Sequence, residues 1–202
     1  TPIYPGDPEP SVTVATTLEN EGYNLSTLVM GTQTGTHVDA PYHFSNSGET
    51  IDNMELDFFL GEAVVVRVTD KKADEAITLE DIEPYKVEIC EGKIVLFNTN
   101  WYKTRGTDEF FHHPYVNGDV AKYLVDNGVR FIGIDTINAD QTGGTEFPVH
   151  DLFSEKRLMI GENWAFFDQI DFERPYVIAL PMKLIGCDGS PVRAIAVQWE
   201  EE

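Results

Sequence analysis

The sequence predicts a mixed α/β domain with a substantial sheet, because segments rich in Val and Ile outnumber amphipathic segments. Short β-branched segments are typical of strands, some of them buried on both faces. We predict five strands, at residues 63–68, 93–98, 130–135, 176–181 and 192–199. Few helices among many strands do not indicate a regular βαβ ladder.

Three helices are predicted between these strands. Residues 118–127 form an amphipathic pattern that ends before Gly128, so this helix leads directly into the strand that follows. Thr78 is a capping residue followed by acids, which indicates that a second helix begins there. A third, short helix is expected at residues 151–158.

The charge of the chain limits its partners. Its 202 residues include 14 basic and 35 acidic side chains, for a formal net charge of −21. Such a field repels phosphate, so we expect neither nucleic acid nor an anionic membrane surface as a partner. Solubility alone also explains the acid excess. A hydrophobic fraction of 42% is ordinary for a globular protein, and no linker or repeat is visible, so we expect one domain over residues 1–202.

The cellular location is predicted from the targeting and membrane-spanning patterns that the sequence lacks. No apolar run approaches the roughly 20 residues that cross a bilayer, and no signal-peptide pattern is visible at the start of the sequence. Cys90 and Cys187 are too few for a disulfide framework. We therefore expect a cytoplasmic protein.

The chemistry concentrates in residues 33–43. Gln33, His37, Asp39 and His43 are separated by even numbers of residues, so on an extended backbone the first three side chains share one face. Pro41 cannot donate to a ladder, so the strand should end there or lie at an edge. Imidazole, carboxylate and amide groups suit a divalent metal ion. The alternative is a polar edge strand whose histidines form local hydrogen bonds.

The same window resembles the signature of a known family. GTHVDAPYH at residues 35–43 is similar to the His-x-Gly-Thr-His-x-Asp-x-Pro-x-His pattern of the metal-dependent cyclase-type amidohydrolases, the family of kynurenine formamidase and isatin hydrolase. Residues 2–8 and 186–196 resemble the N-terminal segment and the C-terminal Gly-x-Pro-x-Arg region of that family. The resemblance therefore extends over most of the chain.

This resemblance implies a set of metal ligands. His150 and Glu162 are the candidates for the downstream ligand pair, which would join His37 and Asp39 around one or two Zn²⁺ ions. Gln33 departs from the pattern, because the family usually has His there. A neutral amide oxygen is a weaker and harder ligand than imidazole, which makes Mn²⁺ a further candidate.

The resemblance also implies an activity and an architecture. It implies hydrolysis of a small-molecule amide, an aryl formamide or a cyclic amide, by metal-activated water, with His43 as general base and acid rather than as a ligand. The alternative is a degenerate member that binds metal or ligand without catalysis. The expected fold is a swivelling β/β/α domain with a barrel-like mixed sheet. A homo-oligomer, a dimer or a tetramer, is also implied.

Other polar and aromatic positions remain open. His112 and His113 are adjacent and point apart, so we interpret them as loop residues, one of which could reach a substrate. Residues 99–102 and 110–111 are aromatic-rich and either wall an apolar pocket or pack in the core. Asp135 and Asp140 follow a strand, where we favour Asx turns over a functional role.

Overall fold

An eight-stranded mixed sheet is the main feature of the computed structural model, which describes residues 1–90 and 92–199. In that part of the chain the strands are β1 (Ser11–Thr16), β2 (Leu25–Val29), β3 (His37–Asp39), β4 (Leu60–Arg67), β5 (Ala76–Ile77), β6 (Ile94–Asn98), β7 (Tyr115–Val116), β8 (Phe131–Ile134), β9 (Met159–Glu162), β10 (Tyr176–Ile178), β11 (Gly189–Pro191) and β12 (Ile195–Val197). The helices are α1 (Leu18–Glu21), α2 (Leu79–Ile82), α3 (Gly118–Asp126) and α4 (Pro148–Glu155).

The main sheet has the order β11-β3-β9-β8-β6-β4-β10-β12. Its four central strands, β9, β8, β6 and β4, are parallel, and antiparallel pairs extend the sheet on both sides. The sheet curls into a half-barrel, as the predicted barrel-like mixed sheet requires. The predicted mixed α/β class is confirmed.

Two apolar clusters cover the two faces of this sheet. On one face, α2, α3 and α4 pack their apolar residues on the parallel strands, with Leu124 and Phe153 fully buried. On the other face, inside the curl, Trp164 and Phe59 belong to a second cluster. Every residue of β6 and β8 is buried, which explains why both strands are almost continuous apolar runs.

The predicted elements correspond to observed ones with shifted ends. The five predicted strands are β4, β6, β8, β10 and β12, and the first two predicted helices are α3 and α2. Thr78 caps α2 through a reciprocal capping box with Asp81, whose carboxylate accepts from the Thr78 N–H at 2.6 Å. The third helix begins at Pro148, three residues earlier than predicted, because proline is well suited to the first helical turn.

The prediction of one extended segment from Gln33 to Asp39 is wrong. Residues 32–36 form turns, and Gly35 has a positive φ of 74°, so the strand begins only at His37. It ends at Asp39, before Pro41, as predicted. The edge-strand alternative is also wrong, since β3 lies between β11 and β9. In the described part of the chain, each helix is too short or too polar to cross a bilayer.

Candidate active site

Two neighbouring antiparallel strands carry three of the candidate ligands. His37 and Asp39 are two residues apart on β3, so their side chains emerge on the same face of the sheet. Glu162 of β9 is the register partner of His37, and directly opposed residues share a face. The sheet therefore brings His37 and Asp39, which are close in sequence, together with Glu162, which is far from them in sequence.

The fourth candidate ligand, His150, is supplied by α4. Its Nε2 lies 3.5 Å from an Asp39 carboxylate oxygen and 3.2 Å from a Glu162 oxygen. The His37 Nε2 lies 3.3 Å from the other Asp39 oxygen and 3.5 Å from the other Glu162 oxygen. Two imidazoles and two carboxylates thus alternate around one buried point, and each of the four residues is at most 5% exposed.

Hydrogen bonds behind the cluster fix the direction of each imidazole. The His37 Nδ1 lies 2.7 Å from the Gly35 carbonyl oxygen, and the His150 Nδ1 lies 2.7 Å from an Asp140 carboxylate oxygen. Each ring therefore directs its Nε2 towards the carboxylates, which is the arrangement that a backing acceptor produces in metal-binding histidines.

The electrostatics of the cluster favour a cation at its centre. Burial by itself lowers the pKa of His37, but the nearby carboxylates of Asp39 and Glu162 outweigh it and raise the pKa to about 10. Burial also opposes the charged form of His150, but Glu162, Asp140 and Asp39 together outweigh it and raise the pKa of His150 well above its usual value. In turn, the imidazoles lower the pKa of both carboxyl groups against the effect of their burial. Two ionised, buried carboxylates require a neighbouring positive charge.

Unpartnered oxygen atoms support the same interpretation. Among the residues that the structure describes, none donates a hydrogen bond to the buried carboxylate oxygens of Asp39 or to the buried Oε1 of Gln33. Such atoms are costly unless a ligand satisfies them. Asp39 belongs to both sets of side chains that approach closely enough to hold an ion, one with His37 and Glu162, the other with His43 and His150. The donor set of nitrogen and oxygen atoms fits a divalent metal ion.

His43 lies at the mouth of the cluster, on the short 3₁₀ turn Pro41–His43. Its side chain is 29% exposed, and its Nδ1 lies 2.9 Å from an Asp188 carboxylate oxygen. Asp188 also accepts from the Thr32 hydroxyl at 2.7 Å. Burial opposes the charged form of His43, but Asp188 and Asp39 outweigh it and raise its pKa. The carboxylate of Asp188 fixes the ring and leaves Nε2 free.

Gln33 joins this arrangement from the turn before β3. Its Nε2 donates to Asp188 at 2.8 Å and lies 3.3 Å from the His43 Nδ1. A carboxylate only accepts, so Asp188 sets the orientation of the Gln33 amide and leaves its Oε1 without a partner. Gly189 makes room for this amide, because a Cβ atom there would lie 2.6 Å from the Gln33 Nε2.

A cavity of about 320 Å³ opens onto these side chains. Tyr4 and Asp7 of the N-terminal segment line it, together with the aromatic rings of Phe44 and Phe147. The Phe44 ring centroid lies 4.4 Å from that of His150. The N-terminal segment that contributed to the family resemblance therefore closes one side of the site.

The two adjacent histidines lie outside this cavity. His112 is exposed and pairs with Asp74 at 3.1 Å, whereas His113 is buried between the Pro114 carbonyl oxygen and the Thr142 hydroxyl, each at 2.8 Å. The prediction that the two rings point apart is confirmed. The aromatic residues Trp101 and Phe110 pack with Ile137 in a small buried cluster.

The preference for Asx turns at Asp135 and Asp140 is wrong. Asp135 accepts hydrogen bonds from the Thr99 and Asn100 backbone N–H groups, and so caps the end of β6. Asp140 accepts from the first N–H groups of α4 and from the His150 ring. Sequence reasoning did not identify Asp140 and Asp188 as part of the site. The only available signal was their position, after a predicted strand and inside the C-terminal segment that resembles the family.

Comparison with known proteins identifies the family. The family model described as "Putative cyclase" matches residues 1–141. The kynurenine formamidases of Bacillus mycoides (strain KBAB4) and Bacillus cereus (strain ATCC 14579) are 31% and 32% identical to the chain, and each match covers 95% of this chain and 89% of the relative.

The chain belongs to the cyclase family. As a member of that family it is a hydrolase, and the expected kinship with cyclase-type amidohydrolases is confirmed.

Several solved structures share the fold of this chain. An isatin hydrolase bound to the product analogue thioisatinate has a TM-score of 0.87 at 24% identity, covering 94% of this chain and 82% of that one. At this identity the match concerns the fold. A potential metal-dependent hydrolase with cyclase activity has a TM-score of 0.78 at 28% identity, covering 96% and 91% of the two chains.

Proposed function

We propose that this protein is a metal-dependent hydrolase of a C–N amide bond in a small aryl formamide or cyclic amide. The observation that carries the proposal is the convergence of His37, Asp39, His150 and Glu162 beside His43 at the end of a cavity. The formamidase relatives and the solved metal-dependent hydrolase support this reaction class.

The proposed ligands are His37, Asp39, His150 and Glu162, with Gln33 contributing its free Oε1. Asp39 is central to the set, so one or two ions fit the donors. Zn²⁺ suits a mixed site of imidazole and carboxylate. The amide oxygen at position 33 makes Mn²⁺ the second candidate.

When bound, a divalent cation would lower the pKa of water and polarise the scissile carbonyl. His43 supplies the proton transfers: its Nε2 takes a proton from the attacking water and returns it to the leaving nitrogen. Asp188 keeps the proton on Nδ1, so that Nε2 is the basic nitrogen before the reaction. Phe44 and Phe147 exclude water from one wall and would contact a planar substrate.

The test combines chelation with the substitution His43→Ala. N-formylkynurenine, isatin and a cyclic imide should be assayed with zinc-loaded and manganese-loaded protein, before and after removal of the metal. We expect metal-dependent turnover of at least one substrate, a loss of at least about 100-fold in kcat for His43→Ala, and unchanged metal content in that variant. Absence of turnover with either metal, or equal metal content with full activity in His43→Ala, would contradict the proposal.

No observation on the described residues favours the non-catalytic alternative, because His43 and three of the four candidate ligands, His37, His150 and Glu162, line one cavity, and Asp39 lies within reach of them. The substitution Gln33→His distinguishes the catalytic proposal from the non-catalytic alternative. A protein adapted to Gln33 loses activity or changes little, whereas a decayed enzyme regains activity with the histidine.

We also propose a homo-oligomer that associates through the β1–β2 hairpin. This two-stranded sheet stands apart from the main sheet, and Val12, Val14 and Leu28 on one of its faces are 69%, 72% and 58% exposed. Neither strand contains a charged residue, although the chain carries a net charge of −21. Two copies of so acidic a protein can approach most easily at an uncharged surface.

Residues 1–202 are proposed to form one hydrolase domain. A cytoplasmic location remains our proposal, supported by two cysteines that are both unpaired.

A further inference from the structure

Beside the metal-ligand cluster lies a second cavity, of about 730 Å³, which we call the outer cavity. Gly35, Thr36, Arg105, Phe110, Phe111 and Asn163 are among the residues that line it. Asn163 also lines the cavity of the candidate active site and directly follows the candidate ligand Glu162. The two cavities are therefore neighbours across a single residue.

Arg105 is the cation of the outer cavity, and in the described part of the chain it forms no ion pair, although the charge of Asp135 acts on it from a distance. Its Nη2 donates to the backbone carbonyl oxygens of Asn163 and Trp164, at 2.7 and 3.0 Å. Its Nε is buried without a partner. Among the described residues no carboxylate pairs with this guanidinium, and its Nη1 has no hydrogen-bond partner. Asp108 also lines the cavity but forms no ion pair with Arg105 in the described part of the chain.

Asn163 presents a second unused polar group. Its backbone has a positive φ of 57°, which asparagine tolerates better than most residues. Its backbone carbonyl oxygen accepts from both Thr36 and Arg105, but its side-chain Oδ1, a further acceptor, is buried with no hydrogen-bond partner among the described residues. The residue is 3% exposed, so the side-chain amide is held at the wall between the two cavities.

We propose that Arg105 binds a carboxylate group of the substrate, while the amide of the substrate lies against the metal-ligand cluster. This deepens the proposed function and rests on it. A guanidinium forms strong charge-assisted hydrogen bonds with carboxylates. A protein of net charge −21 repels an anionic substrate, so a cation without an acidic partner is the feature that such a substrate requires.

The first test compares two substrates that differ in charge. N-formyl-2-aminobenzoate carries the carboxylate, and its methyl ester does not. We expect the metal-loaded wild type to prefer the acid by at least about tenfold in kcat/KM, and Arg105→Met to bring this ratio close to one. Lys103→Met is the matched control, since Lys103 lies on the same segment but pairs with Asp168 at 2.8 Å, and it should keep the wild-type ratio.

The second test measures binding without turnover. Calorimetry with the metal-loaded protein compares 2-aminobenzoate with 2-aminobenzamide. Arg105→Met should weaken binding of the carboxylate by about tenfold relative to binding of the amide. If Arg105→Met does not fold, Arg105→Gln replaces it, because glutamine retains a donor for the Asn163 carbonyl oxygen.

The outcomes separate this inference from the proposed function. If the affinity ratio shifts but no formamide is hydrolysed, the carboxylate site stands and the proposed reaction fails. If formamides are hydrolysed but neither the kcat/KM ratio nor the affinity ratio changes in Arg105→Met, the carboxylate site is contradicted. Equal loss for acid and ester would likewise contradict it, because it would show that Arg105 only braces the Asn163 backbone.

Discussion

At the scale of single residues, the site depends on side chains that are not candidate ligands themselves but orient the histidines of the site. Asp140 holds the His150 ring from behind, and Asp188 holds the His43 ring in the same way. Asp188 lies 145 residues from His43, whereas Asp140 lies 10 residues from His150. Sequence spacing predicted that Gln33, His37 and Asp39 share one face with a second imidazole nearby, but pairs formed only by folding carry no local pattern. His150 and Glu162 were predicted only through the family resemblance.

The first residue-scale prediction concerns Asp188→Asn. The substitution removes the charge that favours the Nδ1-protonated His43, so we expect kcat to fall between about 10-fold and 100-fold while metal content is unchanged. Thr32→Val is the control, because it removes only the 2.7 Å hydrogen bond to the other Asp188 oxygen and should have a smaller effect. Loss of metal in Asp188→Asn would show that Asp188 supports the ligands instead.

The second residue-scale prediction concerns pH. Burial lowers the pKa of His113 below its usual value, so the unfolded chain binds the proton more readily than the folded one. Stability from this group is complete above about pH 6.5 and is lost as the pH falls below that value, at up to about 1.4 kcal/mol per pH unit. Urea unfolding at pH 7.5 and 5.5 should show a smaller pH dependence for His113→Gln than for the wild type.

His112→Gln is the matched control for that experiment, because the neighbouring imidazole is exposed beside Asp74. Its pH dependence should equal that of the wild type. If the free energy of unfolding of His113→Gln has the same pH dependence as that of the wild type, the argument that His113 is buried in its neutral form is contradicted.

At the scale of elements, β6 and β8 were predictable because their apolar residues are buried on both faces. β9 was not predicted. It is only four residues long and contains Gly161, and its pairing with β3 and β8 gives it strand structure that its sequence does not indicate. The turn before β3 was also missed, because the even spacing of Gln33 and His37 suggested a strand where Gly35 has a positive φ.

Gly161 provides the element-scale prediction. A Cβ atom there would lie 2.7 Å from the Trp164 ring, whose Nε1 donates to the His37 carbonyl oxygen at 3.0 Å. Gly161→Ala should therefore displace Trp164, destabilise the protein by about 1–3 kcal/mol in urea unfolding, and weaken metal binding. Gly61→Ala is the control, because the nearest atom to a Cβ atom in β4 is 3.5 Å away. Equal stability of the two variants would contradict this packing argument.

At the scale of the whole molecule, an acidic chain presents one hairpin whose two strands carry no charged residue. A two-stranded sheet with both faces exposed has little stability of its own, and the proposed second copy would provide the burial that it lacks. The overall charge was evident from composition, whereas the detachment of this hairpin from the main sheet was not. Neither hairpin strand was among the predicted elements.

The whole-molecule prediction concerns mass in solution. Light scattering should give a mass of at least two chains for the wild type and of one chain for the double variant Val14→Glu and Leu28→Glu. Added salt should strengthen wild-type association by screening the net charge of −21. Val87→Glu, at a position that is 96% exposed outside the hairpin, should leave the mass unchanged. A wild-type monomer, or a double variant with the wild-type mass, would contradict the proposed contact.

The central claim is that His37, Asp39, His150 and Glu162 hold a divalent metal ion together. The most direct test is the metal content of protein that has been loaded with zinc or manganese and then dialysed, measured by plasma mass spectrometry. We expect at least one equivalent in the wild type and in Asp151→Ala, an exposed acid beside His150, and less than about a tenth of an equivalent in Asp39→Ala. A wild type that retains no metal, or an Asp39→Ala variant that retains as much as the wild type, would contradict the claim.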